Sequence, residues 1–168
     1  MKEKYPLYSD EYFMNEAIKE AKKGMKDGEI PVGCLIVVNS EIVSRSHNMN
    51  REKDCNLYHA EMIAIDDACK KLGRWTLLDA TIYVTLEPCI MCSGAIIQSR
   101  IKRLVYGAKE DRFGSCENIL NAFELKSNHK VDITSGVLKE DIEEMMKKFF
   151  IDIRQNKKWG RKWIKKSL

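Results

Sequence analysis

The stretch Asp79-Ala-Thr-Ile-Tyr-Val-Thr-Leu-Glu-Pro-Cys-Ile-Met-Cys-Ser-Gly-Ala95 decides the fold, because its hydrophobic pattern changes type in the middle. Residues 81–85 alternate along the chain, as expected of a β-strand whose side chains point to opposite faces. From Cys89 onward the pattern is helical, and Pro88 suits the junction because proline presets the backbone for a first helical turn. We therefore expect a strand that leads directly into a helix.

Strands and helices alternate outward from this stretch. A turn at Asn39-Ser40 is expected to join two strands into a hairpin. Strands that alternate with helices in the middle of a chain predict a layered α/β domain with parallel strands. The predicted helices cover residues 10–26, 59–71, 89–99 and 139 to about 158, and the predicted strands cover 32–38, 42–46, 81–85, 103–107 and 131–134.

The composition indicates a single folded domain over residues 1–168. Hydrophobic residues make up 44% and charged residues 32%, which is typical of globular proteins and not of disordered chains. No stretch approaches the roughly 18 apolar residues that span a membrane, and residues 1–7 contain no apolar signal core. We expect a cytoplasmic protein, without a membrane partner, whose six cysteines serve a metal or catalysis before disulfides.

Two short motifs open predicted helices and carry metal-binding side chains: His59-Ala60-Glu61 and Pro88-Cys-Ile-Met-Cys92. Cys89 and Cys92 share one helix face, in a first turn where the helix dipole favours the thiolate. Both helices follow strands, so in a parallel layered fold their N-termini lie at the same edge of the sheet. His59 and the two cysteines can then meet on one ion, and three such ligands suit zinc.

The number of ligands distinguishes a structural zinc from a catalytic one, because only the catalytic site keeps a position for water. Cys69 lies roughly 15 Å along its helix from His59 and is a poor fourth ligand. Cys34 is expected in the core, whereas Cys55 and Cys116 stand in irregular segments and stay open as ligands. Our hypothesis is an open catalytic site; a structural zinc and a thioredoxin-like redox dithiol are the alternatives.

Glu61 supports the catalytic hypothesis. It is two residues from His59, so the two side chains do not stack on one face of the helix. At a helix end, however, both can border one pocket, with His59 on the metal and Glu61 beside the water. Zinc lowers the pKa of such a water to about 7, and a neighbouring carboxylate can take up and return protons.

The charge is unevenly distributed, because residues 154–168 carry seven basic side chains and no acidic one. The rest of the chain carries 22 basic and 25 acidic side chains. Trp159 and Trp163 lie within the basic segment. It can be a solvated helix end, or it can bind nucleic acid, since Lys and Arg neutralise phosphates and indole rings stack on bases.

The combination of His-x-Glu with Pro-Cys-x-x-Cys resembles the signature of the zinc-dependent nucleobase deaminases. Within that superfamily the chain is similar to the bacterial tRNA-specific adenosine deaminases, from about residue 10 to residue 155. The stretches that carry the similarity are Glu29-Ile-Pro-Val-Gly33, residues 79–95, Ser99-Arg100-Ile101, Tyr106-Gly107-Ala108, Asn128-His129, Gly136-Val137-Leu138 and Phe149-Phe150.

This resemblance implies a three-layer α/β/α fold of the cytidine deaminase type, with the five strands in a mixed sheet. It also implies a homodimer with one Zn²⁺ per subunit. The implied reaction is hydrolytic deamination of adenosine to inosine at the wobble position of a tRNA anticodon stem-loop, in which zinc-bound hydroxide attacks C6 of adenine.

The resemblance extends to individual residues. His59, Cys89 and Cys92 match the zinc ligands, and Glu61 matches the proton shuttle. The expected substrate-binding residues are Asn48, Ala60 and Arg154. Asn48 matches an asparagine that touches the flipped nucleotide, and Arg154 is expected to reach a phosphate.

Three segments depart from the family pattern. Asp54-Cys-Asn-Leu-Tyr58 stands where relatives commonly carry Asp-Pro-Thr-Ala, so a tyrosine replaces a small residue beside a zinc ligand. Glu110 replaces an aspartate, and Cys116-Glu-Asn118 replaces a stretch rich in Ala, Gly and Ser. These departures bear on the choice of substrate and leave the metal-binding and proton-transfer residues intact.

Two other functions remain as alternatives. One is a deaminase of a free purine such as guanine, and the basic segment argues against it because a small neutral base needs no electrostatic docking surface. The other is a non-enzymatic RNA-binding module with a structural zinc, in which Glu61 would have no use.

Overall fold

The computed structural model describes residues 4–155 of the chain. Its elements are α1 (Asp10–Lys26), β1 (Gly33–Val38), β2 (Glu41–His47), α2 (Ala60–Leu72), β3 (Ala80–Leu86), α3 (Ile90–Gln98), β4 (Arg103–Ala108), a 3₁₀ turn (Ala122–Glu124), β5 (Asp132–Thr134) and α4 (Lys139–Gln155). None of the helices within residues 4–155 is long and apolar enough to cross a bilayer.

Hydrophobic periodicity predicted each of these helices and strands to within one residue at either end, apart from the end of α4. The 3₁₀ turn was not predicted. The predicted continuation of α4 to about residue 158 runs beyond the described residues, as does the basic segment after Gln155 with Trp159 and Trp163.

The sheet has the strand order β2-β1-β3-β4-β5. Strand β1 lies between β2 and β3 and runs antiparallel to both, whereas β3, β4 and β5 are parallel. The predicted hairpin is confirmed, because the tight turn at Asn39 and Ser40, with φ of 51° and 64°, returns β2 antiparallel to β1. The parallel strands expected in the middle of the chain are β3, β4 and β5. The mixed five-stranded sheet is confirmed.

This topology fixes the edge at which two helices begin. Since β1 opposes both β2 and β3, these two strands run in the same direction. Helix α2 follows β2 and helix α3 follows β3, so both helices begin on the side of the sheet where β2 and β3 have their carboxyl ends. We call this side of the sheet the metal edge.

Helices cover both faces of the sheet and complete the three-layer α/β/α arrangement. On one face, alternate residues of β1 such as Cys34 and Ile36 pack with α2 and α3. On the other face, Leu35 and Val37 pack with α1 and the first turns of α4. Gly33 lets α1 approach β1 closely, because a Cβ built there would lie 2.0 Å from the Ala17 carbonyl oxygen.

Candidate metal centre and active site

Three side chains from the two helix starts meet at the metal edge. The Nδ1 atom of His59 lies 3.6 Å from Cys89 Sγ and 3.5 Å from Cys92 Sγ. The ligand atoms of His59, Cys89 and Cys92 all lie within 4.8 Å of one another. The three residues that the spacing of the motifs predicted to share an ion are thus neighbours in the fold.

The donor set and its spacing fit Zn²⁺. A tetrahedral ion with bonds of about 2.0 Å to nitrogen and about 2.3 Å to sulfur separates these ligand atoms by about 3.5 Å. The two nitrogen–sulfur distances given above match that value. One imidazole and two thiols are borderline-to-soft ligands, which zinc prefers over the oxygen-rich sets of Mg²⁺ or Ca²⁺.

In both helices, a residue of the candidate metal cluster occupies the N-cap position. His59 is the N-cap of α2 and Cys89 is the N-cap of α3, and neither side chain caps its own helix. Cys92 follows in the first turn of α3 and is fully buried. The prediction put His59 and Cys89 inside their helices; their extended backbone instead places them one residue before the start.

The two thiols differ in acidity because one donates a hydrogen bond to the other. The bond from Cys92 lowers the pKa of Cys89 to about 4, and the same interaction raises the pKa of Cys92. A hydrogen bond to Cys89 raises the pKa of His59. Because the site favours a thiolate at Cys89, one of the two sulfurs already has the charge that zinc binding requires.

Glu61 lies beside this cluster in the first turn of α2. It is 4% exposed, and burial raises the pKa of its carboxyl. The carboxyl group is also within hydrogen-bonding reach of the Cys92 thiol. A buried carboxyl group beside a group of metal ligands is suited to proton transfer, because it is held close to whatever binds the metal.

The other cysteines stand apart from the group of three. Cys34 and Cys116 are buried, and burial raises the pKa of each thiol. Cys55 and Cys69 are partly exposed. Within residues 4–155, no side chain of His, Cys, Asp or Glu joins His59, Cys89 and Cys92 as a fourth ligand. The site therefore has the three-ligand composition of a catalytic zinc centre.

Asn48 holds the start of α2 in place. Its Oδ1 atom accepts the backbone N–H of Ala60 at 2.8 Å, and its Nδ2 atom donates to the carbonyl of Ile30 at 3.3 Å. Ala60 is fully buried, and its carbonyl accepts a 2.6 Å hydrogen bond from Ser46. Asn48 thus supplies the cap that His59 does not, a role that sequence reasoning missed.

The third expected substrate-binding residue lies elsewhere. Arg154 is exposed in the last turn of α4. The first turns of α4 pack on the α1 face of the sheet, opposite α2 and α3. Asn48 and Ala60 border the metal edge, whereas Arg154 belongs to a different layer.

A buried carboxylate that the sequence did not single out holds the segment after β4 against the metal centre. Glu87 is 2% exposed. Its Oε1 atom accepts the N–H groups of Cys116 at 2.9 Å and Glu117 at 3.0 Å, and its Oε2 atom accepts that of Glu110 at 3.1 Å. Its position between a predicted strand and the Pro-Cys motif is visible in the sequence, but its burial and its partners are not.

Comparison with known proteins relates the chain to zinc-binding deaminases. A family model described as the zinc-binding region of cytidine and deoxycytidylate deaminases matches residues 7–108. The tRNA-specific adenosine deaminase of Bacillus subtilis (strain 168) is 46% identical over 157 residues, which cover 93% of this chain and 98% of that protein.

Solved structures agree with the sequence comparison. A structure from studies of A-to-I editing by tRNA:A34 deaminases at the wobble position superposes with a TM-score of 0.77 and 37% identity, over 80% of this chain and 98% of that one. Guanine deaminase from Bacillus subtilis is more distant, with a TM-score of 0.59 and 30% identity over 71% of this chain and 87% of that one.

Proposed function

The chain belongs to the family of zinc-binding cytidine and deoxycytidylate deaminases, and we propose that it hydrolyses adenosine to inosine at the wobble position of a tRNA anticodon. The observation that carries this proposal is the cluster of His59, Cys89 and Cys92 with Glu61 buried beside it. Similarity to tRNA-specific adenosine deaminases over nearly the whole chain supports RNA as the substrate.

His59, Cys89 and Cys92 hold one Zn²⁺ in this proposal, through Nδ1 and the two Sγ atoms. When bound, zinc supplies a nucleophile by lowering the pKa of a coordinated water to about 7. The three protein ligands are fixed by two helix starts that meet at one edge of the sheet, so the site is built before any substrate arrives.

Glu61 is the proton shuttle. Its carboxylate takes a proton from the attacking water and returns one to the purine ring nitrogen, which allows C6 to accept the oxygen. It then takes the second proton of the added water from the oxygen on C6 and gives it to the departing amine, so that water and adenosine become inosine and ammonia. A carboxyl group whose pKa is raised by burial is suited to both directions of transfer near neutral pH.

Asn48 contacts the flipped nucleotide at the metal edge, and Ala60, which is fully buried with both backbone groups hydrogen-bonded, contributes by fixing the Asn48 amide. The oxygen of the Asn48 amide accepts the Ala60 N–H, and one N–H of the amide donates to the Ile30 carbonyl. Because an amide has two N–H donors, one remains for the nucleotide. Arg154 reaches a backbone phosphate together with the basic residues that follow it.

The proposal also covers the domain organisation, the oligomeric state and the location of the protein. Residues 1–168 form one deaminase domain that ends in the basic segment 154–168. Two such chains form a homodimer in the cytoplasm and bind the anticodon stem-loop. Seven basic side chains in that segment supply the electrostatic attraction that an RNA substrate needs and a free base does not.

A comparison of substrates, each incubated separately with the protein, tests the proposal. The zinc-loaded protein is incubated with an anticodon stem-loop carrying adenosine at the wobble position, and separately with free guanine, adenosine and cytidine. We expect ammonia release and inosine only with the RNA. If guanine released ammonia and the RNA did not react, the protein would be assigned to purine salvage. If no substrate gave a product, the protein would be assigned as a zinc-containing binding module.

A further inference from the structure

A large aromatic side chain is exposed beside the metal centre. Phe113 is 70% exposed, although a phenylalanine is usually at least half buried. Its neighbour Gly114 forms an antiparallel bridge with Cys89, one of the three residues of the metal centre. The Phe113 backbone is thus one residue from a direct contact with the start of α3.

The segment that carries Phe113, residues 109–117, is firmly held. The Glu87 carboxylate accepts three of its backbone N–H groups, as described above. Ser115 adds two hydrogen bonds, from its N–H and its hydroxyl, to the Pro88 carbonyl at 3.0 Å each. The Ser115 hydroxyl also lies 2.8 Å from that of Ser93 in α3.

The close approach of this segment depends on Gly114. A Cβ built on Gly114 would lie 2.5 Å from Glu87 Oε2 and 2.5 Å from the Glu110 carbonyl oxygen. Every anchor of the segment therefore points inward to the metal centre, while Phe113 points outward. Because the backbone that carries Phe113 is held, ordering the ring on binding costs only the freedom of its own side-chain torsions.

The charges around Phe113 are mixed, so the ring itself is the main contact that this segment offers. Segment 109–117 carries two basic and three acidic side chains; Glu117 pairs with Lys109, whereas Asp111 and Glu110 accept hydrogen bonds only from uncharged groups, the Asn118 amide and the Arg112 N–H, and keep their charge. Arg112 is exposed, and its guanidinium forms no ion pair with any residue in the described range 4–155. An aromatic ring beside an available guanidinium matches a nucleobase beside its phosphate.

We propose that Phe113 is a stacking platform for the unpaired base next to the target adenosine. This inference rests on the proposed function and adds the contact that orients the RNA strand at the metal edge. The flipped adenosine enters the zinc pocket, and the neighbouring base, which has lost its stacking partner, stacks on the Phe113 ring. Phe113 is then a positioning residue that sets affinity for RNA and does not participate in the chemistry.

The test pairs a protein variant with a change in the RNA. The Phe113→Ala protein is compared with wild type on the wobble-adenosine stem-loop, and on the same RNA with an abasic nucleotide on the 5′ or the 3′ side of the target. In wild type, removing the stacked base is expected to raise KM about 5- to 100-fold. Phe113→Ala is expected to raise KM by a similar factor and to abolish the further penalty of that abasic site, with kcat nearly unchanged.

Two variants serve as controls. Phe113→Trp keeps a stacking surface and should keep a wild-type KM. Trp75→Ala removes another exposed ring, since Trp75 is 81% exposed beyond the far end of α2, and it should leave KM unchanged.

The possible results separate this inference from the proposed function. The stacking role is overturned if the KM increases caused by Phe113→Ala and by the abasic site multiply, or if Phe113→Ala leaves KM unchanged. In either case an active wild type still supports the deaminase function. A dimer in wild type that becomes a monomer in Phe113→Ala, measured by sedimentation, assigns the ring to a second copy of the chain and overturns the stacking role. A wild type that does not deaminate the RNA overturns the proposed function and the Phe113 inference with it.

Discussion

At the residue scale, the central feature is that two N-cap positions are occupied by proposed metal ligands, His59 and Cys89. An N-cap is normally Ser, Thr, Asp or Asn, whose side chain accepts a backbone N–H of the first turn. His59 and Cys89 direct their side chains toward each other instead. Asn48 takes over the cap of α2 by accepting the N–H of Ala60. The candidate metal centre therefore costs each helix its own side-chain cap, and Asn48 offsets this loss at α2.

Replacing Cys92 with alanine tests the ligand set. We expect Cys92→Ala to lose its zinc and its deaminase activity, because two protein ligands do not retain the ion. The metal content of purified protein, measured by atomic emission, reports the result. Cys116→Ala is the matched control, since Cys116 is also a fully buried cysteine near α3 but lies outside the group of three. Full zinc in Cys92→Ala would contradict the assignment.

Replacing Glu61 with glutamine separates proton transfer from metal binding. We expect kcat to fall by about 10²- to 10⁴-fold, which is the usual contribution of a positioned acid–base group, while the zinc content stays at one per chain. Glu20→Gln is the control for loss of a buried carboxyl, because Glu20 is 5% exposed and pairs with Lys23 on α1. If Glu61→Gln kept the wild-type kcat, Glu61 would not be the shuttle.

At the element scale, the helices are positioned by close contacts that only small residues allow. Helix α1 lies so close to β1 that a Cβ on Gly33 would be 2.0 Å from the Ala17 carbonyl and 2.5 Å from the Ala21 nitrogen. Both contacts are with backbone, which cannot rotate away. The position of α1 on the sheet therefore depends on Gly33.

Substitution of Gly33 by alanine should be strongly destabilising. We expect the free energy of unfolding to fall by about 3 kcal/mol or more, because overpacking against backbone forces the helix off the sheet. The midpoint of urea denaturation measures the change. Gly94→Ala in α3 is the matched control, since nothing lies within 4 Å of its Cβ position. This control should be neutral or more stable by about 0.5–1 kcal/mol.

The element scale also shows what the sequence can and cannot reveal. Periodicity predicted the elements because burial alternates along a strand and repeats every turn along a helix. It did not reveal that β1 pairs with β3, since an alternating pattern does not identify the neighbouring strand. The site motifs were predictable because the spacing of Cys89 and Cys92 has a chemical meaning. The roles of Asn48 and Glu87 were not, because their partners are backbone N–H groups of residues 12 to 30 positions away.

At the scale of the whole molecule, one polar network joins four elements. Asp10, the first residue of α1, accepts hydrogen bonds from Arg103 of β4 at 2.8 and 2.7 Å and from Tyr83 of β3 at 2.9 Å. Arg103 also donates to Thr134 of β5 at 2.9 Å. The network ties the helix of one layer to three strands. The bonds from Arg103 hold the pKa of Asp10 below its usual value.

This network predicts a contribution to stability that depends on pH. Because the folded state lowers the pKa of Asp10, the contribution is complete above the unfolded value near pH 4 and is lost as the pH falls through the folded value. Asp10→Asn should therefore lower the free energy of unfolding by about 1–2 kcal/mol at pH 7, since the carboxylate is partly exposed. The difference from wild type should shrink below about pH 4.

Urea denaturation between pH 3 and pH 7 measures this dependence. Asp66→Asn is the control, because Asp66 forms an exposed pair with Lys70 within α2. Its effect should stay below about 0.5 kcal/mol at every pH. A loss of stability in Asp10→Asn that is the same at all pH values would show that the carboxylate charge is not what the network uses.

The most direct test of the central claim is the position of inosine in a treated RNA. An anticodon stem-loop with adenosine at the wobble position and at other loop positions is incubated with the zinc-loaded protein, and reverse transcription then reads each inosine as guanosine. The account predicts conversion at the wobble position alone with wild type, and none with Glu61→Gln. Equal conversion of the other loop adenosines, or an unmodified RNA, would contradict it.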